Sequence, residues 1–204
     1  PRRLTNADKQ RLNKLAIPPA YRKVCASPSP LAKLQATAVD QKGKTHYYYH
    51  ADFVDAQRKK RFARVGQIDM PQILRRTKAT LRTAKKGSRA WQAAAALRLR
   101  AMTGIRPGSE KNFSQNGSVG AMTLQKRHLK GGGVLEFKGK SKVTQRLRVH
   151  APSLNGALGW LKRHASGRRL FSYPQDAVSL LRNIQRNAEM KLKDLRTYVA
   201  NDLY

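Results

Sequence analysis

The apolar positions change their spacing once along the chain, and that change divides it. Leu4, Leu12 and Leu15 recur at helical intervals, with Thr5, Asn6 or Asp8 available to cap the first turn. Ile17-Pro18-Pro19 stops this helix, because proline cannot continue it and biases the residue before it toward extended backbone. Three short runs then read as strands: Val24 to Ala26, Leu34 to Val39 and Thr45 to His50, the last two joined by an Asp40-Gln41-Lys42-Gly43 turn. They predict a small antiparallel sheet. From about Ala56 the pattern turns helical. A charge run, Arg58-Lys59-Lys60-Arg61, leads into helices expected over Met70 to Lys85 and Arg89 to Thr103.

The second of these helices holds Trp91-Gln92-Ala93-Ala94-Ala95-Ala96-Leu97, whose small side chains allow close packing, and Gly104 ends it. Asn116-Gly117 and Gly120 mark turns, Ala121 to Leu124 reads as a strand, and Lys130 to Gly133 as a loop. Val134 to Phe137 and Thr144 to Val149 form an expected hairpin with Lys140 at its tip. Helices follow over Pro152 to His164 and Pro174 to Met190, and Asp194 is placed to cap a last one carrying Arg196 in its first turn. The expected fold is α+β: a β-rich N-terminal domain over residues 1–57, then a mainly helical domain with a β-hairpin over 58–204.

Charge narrows the function. The 204 residues carry 43 Lys+Arg against 11 Asp+Glu, a formal net charge of +32. Such a surface repels itself unless a polyanion neutralises it, and nucleic acid is the polyanion that lysine and arginine hold through phosphates. The charge is mixed through periodic apolar segments, and 40% of residues are hydrophobic, which argues against wholesale disorder. No apolar run approaches the ~20 residues of a spanning helix. The lone Cys25 excludes an internal disulfide and a cysteine-based zinc site, and is expected to be a buried small hydrophobe.

Several candidates for chemistry stand out. Arg106 follows a helix end and precedes Pro107-Gly108; it is either a solvated loop residue or a phosphate ligand. Lys140 lies in Gly139-Lys140-Ser141-Lys142, a solvated turn or a phosphate-contacting loop. The glycine spacing there is wrong for a nucleotide phosphate loop and no helix follows, so ATP is not expected. Arg196 stands near a helix N-terminus, where helix dipole and guanidinium would both attract a phosphate. In Thr45-His46-Tyr47-Tyr48-Tyr49-His50, Tyr47 and Tyr49 share one strand face and His46, Tyr48 and His50 the other. This is an edge strand with half-buried tyrosines, or a surface whose phenols bond DNA phosphates. His46 and His50 have no third ligand at suitable spacing, so no zinc site is expected.

Taken in order, these motifs resemble the type IB DNA topoisomerases of the poxvirus and bacterial kind. Ile17-Pro18-Pro19-Ala20-Tyr21 is similar to the family's Ile-Pro-Pro-Ala-Trp segment. Gln35-Ala36-Thr37-Ala38-Val39-Asp40-Gln41-Lys42-Gly43-Lys44, with the tyrosines after it, resembles its Gln-Ala-Thr-Gly-x-Asp-x-Lys-Gly-Arg strand pair. Gly104-Ile105-Arg106-Pro107-Gly108-Ser109-Glu110 with Asn116 to Leu124 resembles the first active-site arginine segment, Phe137-Lys138-Gly139-Lys140 the lysine hairpin, and Lys193-Asp194-Leu195-Arg196-Thr197-Tyr198 the second arginine helix.

The resemblance implies a tyrosine attacking a DNA phosphodiester, a 3′-phosphotyrosyl link, strand swivelling and religation, with neither ATP nor metal. Arg106 and Arg196 would clamp the non-bridging oxygens, and Lys140 would protonate the leaving 5′-oxygen. Tyr47, Tyr49, Lys111 and Lys142 would contact DNA. The implied partner is double-stranded DNA, clamped by a monomer in a nucleoid, nucleus or virion. In the family a histidine and the nucleophilic tyrosine lie several tens of residues beyond the second arginine. Here Tyr204 comes eight residues after Arg196. The expectation is therefore that Tyr204 packs in the core, that the nucleophile segment is absent, and that this chain holds DNA without cutting it. Two alternatives remain. One is an inactive DNA-binding or genome-packaging protein, which the charge alone would explain. The other is a tyrosine recombinase, against which Lys193 stands where recombinases usually carry histidine.

Overall fold

The structure is a computed structural model that describes residues 5–201, so Leu4 and Tyr204 lie outside the described residues. The chain divides into two compact units, residues 1–62 and 63–204.

In the first unit α1 (Asn6–Lys14) is started by a reciprocal cap. Thr5 Oγ1 accepts the Asp8 N–H at 3.2 Å, and the Asp8 carboxylate accepts the Thr5 N–H at 3.1 Å. Strands β1 (Arg22–Ala26), β2 (Leu34–Val39) and β3 (Thr45–Tyr49) form an antiparallel sheet in that order. The β2–β3 turn is closed by Asp40. Its Oδ1 accepts the N–H groups of Lys42 and Lys44, both at 2.9 Å, and its Oδ2 lies 2.9 Å from His46 Nε2. These hydrogen bonds, His46 first, hold the Asp40 carboxyl below its ordinary range. Cys25 is exposed, contrary to the burial expected for it. It sits on an outer strand of which only Ala26 is partly covered, so no second layer reaches it. Helix α2 (Ala51–Gly66) runs through Gln57, where a domain boundary was expected, and the compact units part at Phe62 and Ala63 within it.

The second unit is built around α4 (Arg89–Thr103). Every residue from 91 to 101 is buried. The four alanines let α3 (Met70–Thr83), α6 (Pro152–His164), α7 (Asp176–Gln185) and α8 (Leu192–Asn201) pack against α4 on several sides. Leu97, Leu99, Leu154, Leu158, Leu181 and Leu195 are fully buried in this core. Helix α7 is shorter than the expected Pro174 to Met190. Arg186 takes a left-handed φ of 49° there, and Met190 turns back into the core while its carbonyl accepts from Arg182.

Between α4 and the hairpin lies the segment that carries Arg106. A short helix not anticipated from the sequence, α5 (Glu110–Asn116), starts on Ser109, whose Oγ accepts the Asn112 N–H at 3.2 Å. Residues 121–123 form a 3₁₀ turn where a strand was expected. The reason is a backbone crossing. The N–H groups of Ala121 and Met122 donate to the carbonyls of Arg106 and Pro107 at 2.8 and 2.7 Å, and Thr123 Oγ1 accepts the Gly120 N–H at 3.0 Å. The two segments meet glycine to glycine. A Cβ on Gly120 would lie 2.6 Å from the Arg106 carbonyl oxygen, and one on Gly108, at φ +75°, would lie 2.9 Å from the Gly120 Cα. Strands β4 (Val134–Lys138) and β5 (Thr144–Arg148) pair in unbroken register from Val134 opposite Arg148 to Lys138 opposite Thr144. Leu135 and Phe137 anchor the hairpin in the core.

His128 lies beneath this hairpin, its ring centroid 6.2 Å from that of Phe137. Its Nδ1 accepts the Gln125 N–H at 3.0 Å, so the ring is neutral. Burial, and then the charges of Arg127, Lys130 and Arg169, push its pKa down to about 4.

Two outcomes are expected. Replacing Gly120 by alanine forces the crossing apart and should destabilise the chain by about 1–3 kcal/mol in denaturant unfolding, as other overpacked sites do. Gly117→Ala, at φ +70° with open space around it, should cost only about 1 kcal/mol. Equal costs would refute the crossing as the constraint. Because the folded His128 pKa lies below the ordinary value near 6.5, the unfolded chain binds the extra proton between those limits. Stability should therefore fall as pH drops from 6.5 towards 4, and thermal unfolding of His128→Gln should lose less over that window than the unsubstituted chain.

Candidate active site

Three elements of the second unit deliver one cation each to a single cavity of about 390 Å³. Arg106 comes from the loop after α4, Lys140 from the hairpin tip and Arg196 from α8. Thr103, Ser141 and Gln145 add neutral polar groups, and Ile105, Val119, Phe137, Val143 and Leu147 supply apolar wall. Among the described residues no carboxylate lines it. The nearby Glu110 is engaged elsewhere, by Arg169 at 2.5 Å.

Each cation is held differently. Gly104 caps α4 in the left-handed region at φ 60°, and the chain leaves the helix two residues before Arg106. The glycine crossing then fixes the backbone, with the Arg106 carbonyl bonded to Ala121. Arg196 donates from Nη1 to the Gly104 carbonyl at 2.9 Å. A guanidinium at a helix C-terminus meets the negative end of the helix dipole, which favours this placement. Burial, and then the charge of Arg106, lowers the pKa of Arg196 from its ordinary value. Both guanidiniums line one cavity, where like charges repel, and an anion between them would relieve that repulsion.

Lys140 stands where the hairpin turns. Gly139 N–H donates to the Val143 carbonyl at 2.8 Å, closing the loop. Ser141 and Lys142 both take left-handed backbone, at φ 60° and 59°. Neither is glycine, so the tip holds strain of order 1–2 kcal/mol per residue. The last helix begins earlier than the sequence suggested. Asp194 is its third residue, and Arg196 lies one turn in. The carboxylate still serves the helix start, accepting the Lys191 N–H at 3.1 Å.

The other sequence candidates are dispersed. Lys111 is exposed on α5, and Lys142 is exposed beside Lys140 without lining the cavity. Tyr47 and Tyr49 belong to the first unit, on one face of β3, 57% and 40% exposed. Among the described residues no tyrosine lines the cavity, and no three His, Cys, Asp or Glu side chains gather as a metal cluster would require. No described helix is long and apolar enough to cross a membrane. Sequence reasoning missed the polar rim of Thr103 and Gln145. It also missed two buried arginines, Arg98 and Arg100, which the alanine-rich pattern of α4 concealed.

Comparison with known proteins places the chain in a family. Residues 2–40 match the family model described as the N-terminal domain of bacterial DNA topoisomerase IB, and residues 53–203 match that of the eukaryotic DNA topoisomerase I catalytic core. The chain is 30% identical over 217 residues to the DNA topoisomerase 1B of Acanthamoeba polyphaga mimivirus. That alignment covers 97% of this chain and 64% of the viral protein, so the chain spans just under two thirds of its relative's length. With the catalytic-core model matched along residues 53–203, this chain belongs to the type IB DNA topoisomerase family.

Proposed function

We propose that this chain binds double-stranded DNA and supplies the cationic part of a site for phosphodiester transfer. The observation that carries this is the single cavity lined by Arg106, Lys140 and Arg196, with no carboxylate among the described residues that line it. A set of cations alone stabilises one kind of species, an oxyanion gaining charge. As a nucleophile adds to a phosphodiester, negative charge builds on the non-bridging oxygens. Two guanidiniums held apart on an α4-derived loop and on α8 can bond one oxygen each, or fork onto both. They are set in place before reaction, so little reorganisation is needed at the transition state. Lys140 enters from another side and is a suitable general acid for the departing 5′-oxygen. Such a pathway stores the phosphodiester bond in a tyrosyl ester, and religation runs through the same contacts in reverse.

The nucleophile is assigned to none of the tyrosines described, since none lines the cavity. On this reading the described residues hold a phosphodiester and supply no nucleophile to it. Tyr47, Tyr49, Lys111 and Lys142, all exposed, are assigned as DNA contacts outside the chemistry. The +32 charge also suits a DNA-packaging protein. Three cations from three elements around one cavity, with strained backbone beside Lys140, are more than packaging requires and favour the enzyme.

Two measurements test this. The 204-residue chain should bind duplex DNA with a steep salt dependence, losing about 10³-fold or more in affinity between 50 and 200 mM salt if it covers six or more phosphates. It should not relax supercoiled plasmid. Where the gene encodes residues beyond Tyr204, the complete product should relax plasmid in EDTA, and Arg106→Ala or Arg196→Ala should slow its cleavage by about 10²–10³-fold, as removing an oxyanion donor does elsewhere. Lys140→Ala should be rescued by a substrate with a better 5′ leaving group. Failure of the full product to relax DNA at any concentration would leave the packaging alternative standing.

A further inference from the structure

Leu192, Asp194 and Leu195 at the start of α8 are buried, although the arginine that follows them is exposed. Asp194 has 0% exposure, and its Oδ2 takes two donors: the Lys191 N–H at 3.1 Å and the Nε–H of Arg64, from α2, at 3.2 Å. Arg100, in the last turn of α4, is 1% exposed and donates from Nη2 to the Leu192 carbonyl at 2.5 Å. In an α-helix that same carbonyl accepts the amide of the residue four positions on, which is Arg196. Both contacts therefore end on the stretch of backbone from which the Arg196 side chain departs.

These are costly groups to bury. Among the described residues Arg100 Nε and Nη1 and Asp194 Oδ1 have no hydrogen-bond partner. Burial lowers the Arg100 pKa to about 10, which still leaves it charged at neutral pH. An apolar side chain of similar length would pack there with less desolvation. Stability therefore gives no reason for a guanidinium at position 100, whereas geometry does. A helix held only by apolar contacts can rotate or slide by a fraction of a turn at small cost. A charged donor on one named carbonyl, and a carboxylate gripped by a second arginine, allow one rotational setting.

We propose that Asp194 and Arg100 are positioning residues for Arg196, fixing the rotation of α8 so that its guanidinium reaches both the Gly104 carbonyl and the cavity, with Arg64 holding the carboxylate. This rests on the assignment of Arg196 as a phosphate ligand. The demand is physical: a bidentate contact misplaced by about 1 Å loses on the order of 10²-fold in rate.

The test is the Nε–Hε resonance of Arg196 in the ¹⁵N-labelled 204-residue chain, assigned by its loss in Arg196→Lys. In Arg100→Met, a fully apolar replacement expected to fold, the resonance should move, and in Arg100→Lys it should return most of the way. Asp194→Asn, which keeps an acceptor for Lys191 but loses the charge facing Arg64, should displace it too. Should Asp194→Asn fail to fold, Arg100→Met decides alone. An unmoved Arg196 resonance in folded Arg100→Met overturns the proposal. So does an equal displacement of the Arg106 resonance, which would report general loosening. Adding a 20-base-pair duplex to the unsubstituted chain separates the two ideas. If DNA leaves Arg196 unmoved while Arg100→Met still displaces it, the phosphate assignment fails and the positioning role stands.

Discussion

Gly104 ends α4 at φ 60°, and its carbonyl receives the Arg196 guanidinium at 2.9 Å. Most of the cavity follows from this one junction. The left-handed turn releases the chain from the helix and sends it to Arg106. The carbonyl it leaves exposed would otherwise be an orphan at a helix end, and a side chain from a segment 92 residues away satisfies it. A Cβ at Gly104 would also press on Val199 of α8 at 3.2 Å, so the residue that frees the loop also lets α8 approach. The two arginines are thus set relative to each other through a single residue of backbone.

Bringing like charges together opposes folding, and the molecule meets that cost by geometry rather than by neutralisation. Five of its eleven acidic side chains are spent on structure: Asp8 and Asp194 on helix starts, Asp40 on a turn, Asp176 and Glu110 on arginines. Among the described residues no acid lines the cavity. With a net charge of +32, a stray carboxylate beside the arginines would compete with a phosphate for them. The scarcity of acids is therefore a property of the site as much as of the surface.

How far the sequence discloses this arrangement depends on the kind of force involved. Helix α4, the strands of both sheets and the Lys140 hairpin follow from local pattern, cap and turn chemistry, and all were legible. The 3₁₀ turn at 121–123 was not, because alternation suggested a strand while a long-range crossing with Arg106 and Pro107 set the backbone. Cys25 was misjudged for a similar reason: burial depends on whether a second layer covers an outer strand, and composition does not say so. The convergence of Arg106, Lys140 and Arg196 was legible only through their order in a family-like pattern. Nothing local distinguishes them from the forty other lysines and arginines (43 in all). Arg100 gave no signal whatever, since a charged residue in an alanine-rich helix is ordinarily read as its solvated face.

The three cations also differ in how firmly they are held, and the difference matches the work assigned to them. Arg106 and Arg196 are tied to helix ends and to a glycine crossing whose atoms have no room to shift. A transition-state clamp gains from such stiffness, because donors already in place do not have to reorganise. Lys140 rides a two-stranded hairpin whose tip holds Ser141 and Lys142 in strained left-handed backbone. An isolated hairpin of this kind is the least stable element that could carry it, yet Leu135 and Phe137 root its base in the core. A general acid must approach a leaving oxygen that moves as the bond breaks and returns as it reforms. A rooted hairpin with a strained tip suits a group that has to follow its proton, just as a pinned helix suits one that must stay still.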